Sequence, residues 1–89
     1  MDKKLQSQLD GLIEKYAELL IGSTDSEHVE MIRAYVLYSS IAKSMPPLTK
    51  HWNESYPDAK EAMKQLVNEI KKLNEAYRDV KNKDEGSSH

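Results

Sequence analysis

The sequence predicts an all-α fold, an antiparallel three-helix bundle with a short fourth helix in the 46–56 connection. Three observations carry that expectation. Apolar residues recur at alternating steps of four and three along two long segments, the prolines at 46, 47 and 57 fall between segments, and residues 29–45 are apolar round most of a helical circumference. The chain of 89 residues is one domain, 1–80, with a tail, 81–89, expected to be disordered because it has no apolar side chain.

The first segment, about 3–21, places Leu5, Leu9, Leu12, Tyr16 and Leu19 on one stripe that Ile13 and Leu20 widen, so this stripe is expected to face the core. Gly11 lies on the polar side. It is either a tolerated weak start or a point where a partner backbone comes close. Gly22 supplies the left-handed residue that ends the helix, and Thr24 with Glu27 spells a capping box for the next one.

The second segment, 25–45, is the one the rest must cover. Met31, Tyr35, Tyr38, Ala42 and Met45 form one stripe, Val29, Ile32 and Val36 a second, and Ala34 with Ile41 a third. A narrow polar seam of Ser26, Glu30, Arg33, Ser40 and Ser44 remains, interrupted by Leu37. A helix of this kind is buried among neighbours or spans a membrane, and Glu30, Arg33 and Lys43 make it too short to span.

Pro46 and Pro47 end that helix. The connection Pro46–Pro57 carries Leu48, Trp52 and Tyr56 at steps of four, which fits a short helix capping the open end of the bundle. Ser55 with Asp58 marks a new start, and over 57–80 Ala59, Met63, Leu66, Ile70, Leu73, Tyr77 and Val80 give the cleanest periodic signal in the chain. Its opposite face mixes Lys and Glu and is a solvated surface.

Composition narrows function. Net charge is −2, with seven acids against three lysines over residues 1–30, a surplus of two positive charges over 31–57, and balance beyond. No Lys/Arg cluster is dense enough to neutralise several phosphates on one face, so no nucleic-acid partner is expected. The second helix would also open with Asp25, Glu27 and Glu30 towards phosphate, which defeats a helix-turn-helix reading. Without cysteine there is neither a disulfide framework nor a thiolate metal site. No signal-peptide core and no run of about eighteen apolar residues is seen, so the expected location is cytoplasmic, with no membrane partner.

Catalytic signals are weak. Glu14 and Glu18, with Glu27 and Glu30, have the numbers for a metal site in a bundle, but Glu14 and Glu18 fall on the polar side of their helix and no Glu-x-x-His occurs. His28 and His51 sit among hydrophilic neighbours, as surface imidazoles do. The stretch HWNESYPDAKEAMKQLVNEIKKL, residues 51–73, resembles the last helix of acyl-CoA-binding proteins. The long loop that carries much of that family's ligand contact has no counterpart, and the resemblance implies no activity here.

What remains is binding. The aromatic content is one Trp, five Tyr and no Phe, side chains with a polar edge that are enriched at binding hot spots. The candidate surface is the seam, Arg33, Leu37 and Ser40, together with Lys50, His51, Trp52 and Tyr56 of the connection. The expected function is a non-catalytic small protein-interaction module, a regulator, inhibitor or immunity-type protein that engages a protein partner or a second copy as a homodimer, with no cofactor and no metal. The alternatives are a metal-dependent helical nucleotide hydrolase and a carrier of a small apolar ligand.

Overall fold

In a computed structural model, residues 2–87 are described, the side chains among them as far as 82. All regular structure among these residues is helical: α1 (Lys3–Ile21), α2 (Ser26–Ser44), α3 (Pro46–Ser55) and α4 (Pro57–Ser87). The helix α2 touches each of the other three, whereas α1 and α3 do not meet among the described residues.

The breaks between helices follow from backbone chemistry. Gly22 closes α1 with φ 69°, a left-handed conformation that a Cβ disfavours, and its N–H donates to Glu18 O at 2.9 Å. Two X-Pro steps do the rest. Met45 (φ −145°, ψ 69°) and Tyr56 (φ −129°, ψ 71°) are each forced out of the helical region by the proline that follows. The prolines themselves begin the next helix, where a missing N–H costs nothing. The α1–α2 junction departs from expectation. Asp25, not Thr24, holds the cap position of α2, and its N–H donates to Ser23 Oγ at 3.2 Å, so Ser23 supplies the local oxygen.

The fully packed core is small. Ala17 and Ile21 of α1, Val29 and Ile32 of α2 and Ile70 of α4 form one cluster, edged by Ile13, Leu20, Met31, Tyr35, Leu66 and Leu73. Ile32 is wholly shielded and worth roughly 2 kcal/mol by burial alone. The far end of α1 is tied to α4, where Asn74 Nδ2 donates to Leu20 O at 2.7 Å and the Tyr77 ring lies over Gly22. On α4 the predicted stripe does turn inward, with Ile70 buried and Ala59, Met63, Leu66, Leu73 and Tyr77 half-buried, while Val80 is exposed.

On α1 the expected inward face is overturned. Ile13, Ala17 and Ile21 are the residues that pack, roughly a third of a turn from the leucine stripe at 3.6 residues per turn. Leu5, Leu9, Leu12, Tyr16 and Leu19 are all exposed, Leu12 to 66% and Leu19 to 63%. Ala17 decides the choice physically: with no side chain beyond Cβ and zero exposure, it lets α1 lie close against its neighbours, which the bulkier leucine stripe would not.

Shape agrees with a small core. The accessible surface is 7,082 Å², against about 5,300 Å² for a compact chain of this mass. The radius of gyration is 15.9 Å, where about 12 Å is usual at this length. Part of the surplus is the end of α4, which runs past Tyr77 to Ser87. α4 continues to Ser87, into the segment expected to be a disordered tail; the side chains beyond 82 and residues 88 and 89 lie outside the described residues.

The two helix-proximal glycines should behave oppositely. A Cβ on Gly22 would lie 2.5 Å from Tyr77 Cδ1 at a positive φ, so Gly22→Ala should lower unfolding stability by about 2 kcal/mol. At Gly11 a Cβ meets nothing within 4 Å, so Gly11→Ala should raise it by about 1 kcal/mol. Urea titration of the three proteins checks both signs, and a Gly22→Ala protein as stable as wild type would remove the left-handed role.

Candidate functional site

Beyond Tyr35 the outer side of α2 is uncovered. The residues Ala34, Leu37, Tyr38 and Ile41 occur at i, i+3, i+4 and i+7 and therefore share one helix face. Because Pro46 and Pro47 turn the chain sharply, α3 folds back beside this face and sets Leu48, Thr49 and Trp52 against it, with Met63 of α4 closing the floor. The result is an apolar groove of about 310 Å³.

Trp52 is the wall that fixes the groove. Its ring is half-buried and lies tilted against Tyr38, with centroids 5.8 Å apart, and against Tyr56 at 5.9 Å. Such tilted aromatic pairs contribute about 1 kcal/mol each beyond area. Tyr38 OH donates to Asn53 Oδ1 at 3.1 Å, so α2 and α3 are joined by a hydrogen bond behind the stacked rings. Thr49 Oγ1, also between these helices, is buried with no hydrogen-bond partner among the described residues.

Of the residues singled out by sequence, the groove gathers Leu37 and Trp52, with Tyr56 stacked on the outer side of Trp52. The others lie elsewhere. Arg33 is held by Asp10 Oδ1 and Glu30 Oε1, each at 3.4 Å. Ser40 is exposed and its carbonyl accepts from Ser44 Oγ at 2.8 Å. Lys50 lines a separate, more polar depression of about 530 Å³ with Pro46, Asn53, Glu54 and Lys60, and His51 is exposed. The groove residues that the sequence reading left out of the site are Ala34, Tyr38, Ile41, Leu48, Thr49 and Met63. Their signal was present in the i, i+3, i+4, i+7 set around Leu37, but the same set reads equally well as core.

His28 is also not an ordinary surface imidazole. It is half-buried, with Nδ1 2.8 Å from Ser23 Oγ, and it fastens the α1–α2 junction. The carboxylates considered for a metal site do not converge. Glu14 and Glu18 are exposed, Glu18 pairs with Lys15 at 3.3 Å, and Glu30 is engaged by Arg33. No group of three or more His, Asp or Glu side chains that could hold a metal ion occurs among the described residues. No helix among them is long and apolar enough to cross a membrane.

A family model described as "Protein of unknown function (DUF2573)" matches residues 3–80, from the first residue of α1 to the last apolar residue of α4. The chain belongs to this family. A DUF2573 chain of this kind is 59% identical over 78 residues to the "Uncharacterized protein YusU" of Bacillus subtilis (strain 168), a match spanning 88% of this chain and 82% of that protein. No solved structure gives a significant match. For this DUF2573 member the groove and the helices that frame it, α2, α3 and the first half of α4, all lie inside the matched residues.

Trp52 should matter to α3 alone. Trp52→Ala removes both tilted stacks and leaves a void, at a cost of about 3 kcal/mol, and hydrogen exchange should quicken over residues 46–55 before it quickens around Ile32. His51→Ala, on the exposed side, should stay within about 0.5 kcal/mol of wild type. Equal quickening in α1 and α3 would contradict the assignment of Trp52 to α3.

Proposed function

We propose that the chain is a non-catalytic, cytoplasmic protein-interaction module that regulates or neutralises a protein partner, and that the partner inserts an amphipathic helix between α2 and α3. In this reading the three long helices are an antiparallel three-helix bundle and α3 is the arm that shapes its binding face. The observation that carries it is the apolar groove lined by Leu37, 64% exposed, together with Ile41, Leu48 and Trp52.

Helix-in-groove recognition uses apolar anchors spaced a turn apart, and a face built from i, i+3, i+4 and i+7 residues is what such anchors meet. The surplus of positive charge over residues 31–57 and the neighbouring Lys50 and Lys60 favour a partner helix with acidic residues along its flanks. The alternative of a carrier for a small apolar ligand is less well supported: at about 310 Å³ the groove is at the bottom of the range for ligand pockets, which bury most of their ligand.

Trp52 is the sole tryptophan, so its emission reports groove occupancy directly. A protein captured from a host lysate by the wild-type chain, and then purified, should shift Trp52 emission to shorter wavelength on titration. Leu37→Glu should weaken that binding by at least about a hundredfold while leaving the helical circular dichroism intact. A captured protein that binds Leu37→Glu as tightly as wild type, with Trp52 emission unmoved, would contradict the groove as the binding face.

A further inference from the structure

The helix α3 is fastened differently from the three long ones, each of which adds a side chain to the Ile32 cluster. None of the residues of α3 is buried, and no ion pair among the described residues reaches it. Of the two rings against Trp52 only Tyr38 belongs to another helix, since Tyr56 is the residue that caps α3 itself. A single side-chain hydrogen bond, from Tyr38 OH to Asn53 Oδ1, is the polar attachment. Two hollows border the helix, the apolar groove and the more polar depression, and Thr49 lines both.

The joints at the ends of α3 are single residues. Met45 N–H donates to Ile41 O in α2, and the Met45 carbonyl accepts from Leu48 and Thr49 N–H in α3. In the same way Tyr56 N–H donates to Trp52 O in α3, and the Tyr56 carbonyl accepts from Lys60 N–H in α4. Backbone hydrogen bonds stop at each joint, because Pro46, Pro47 and Pro57 have no N–H to carry them across. The ladder of α3 is therefore separate from those of its neighbours.

We propose that α3 is a gate: it detaches from α2 and α4 as one unit between these joints while the Ile32 cluster stays closed, baring Ala34, Leu37, Tyr38 and Ile41. A lone helix of ten residues is too short to persist in water, so detachment also releases its internal hydrogen bonds together. The closed state has a weakness that favours this. Thr49 Oγ1 is buried with no hydrogen-bond partner among the described residues, a cost that ends when water reaches it. Open molecules are a minority at any instant, so bulk Trp52 emission still follows the fold as a whole. Entry of a partner helix between α2 and α3 requires them to part, a use that rests on the groove reading, whereas the detachment itself needs no partner.

Amide hydrogen exchange of the free wild-type chain tests the gate. Residues 48–55 should share one level of protection, at least about a hundredfold below that of Ile32 and little changed by dilute urea. Thr49→Val, which replaces the unpaired hydroxyl by a methyl, should raise that protection about fivefold. The chain has no cysteine, so Thr49→Cys and Val29→Cys each offer a single thiol to a labelling reagent. With the helical signal intact in both, the thiol at 49 should react at least about a hundredfold faster than the thiol at 29. Protection over 48–55 equal to that of Ile32, protection unmoved by Thr49→Val, or equal labelling at the two positions would overturn the gate. Each of these results is read without a partner and leaves the groove as a binding face to its own test.

Discussion

The structure rests on the convergence of three helices at Ile32. That side chain has no accessible surface, and Ala17, Ile21, Val29 and Ile70 close round it. Each of the three long helices contributes to this cluster, so losing it would release all of them at once. Burying a few aliphatic side chains at roughly 2 kcal/mol each offsets only part of the ordering entropy of a chain this long, and domains near this size are marginal. A core confined to one level of the helices leaves their ends and outer sides without intramolecular cover. That single constraint accounts for both apolar faces, the groove by α2 and the exposed leucine stripe on α1.

The groove is a consequence of proline as much as of hydrophobicity. Had α2 continued past Ser44, Ile41 and Met45 would lie along an unbroken rod. Pro46 and Pro47 instead end it and begin α3 at once, and Pro57 repeats the device one short helix later, so the α3 arm returns alongside α2 with Trp52 facing inward. Trp52, half-buried, thus packs against Tyr38 and Tyr56 while lining the groove.

Helix limits were legible in the sequence. The left-handed Gly22 and the three prolines set the breaks between helices to within a residue or two, since these are backbone effects that act locally, whereas α4 runs past the expected end at 80 to Ser87. The orientation of α4 was legible too, because its Lys and Glu face left only one apolar stripe. On α1 two stripes compete, and the longer leucine stripe lost to Ile13, Ala17 and Ile21. Close approach at Ala17 is a tertiary property that periodicity does not carry. The capping box at Thr24 failed for a related reason, with Ser23 reaching Asp25 N–H and His28 first. Of the candidate surface, Leu37 and Trp52 come together, while Arg33 is taken up by Asp10 from a helix whose rotation the sequence left undetermined.

All three long helices depend on the one small cluster at Ile32. The most direct measurement is urea unfolding of Ile32→Ala beside wild type, followed both by helical circular dichroism and by Trp52 emission. The expected result is a loss of about 3 kcal/mol with the two probes moving together, because α1, α2 and α4 are released as one unit. A loss below about 1 kcal/mol, or two probes with separate midpoints, would contradict a fold held together at Ile32.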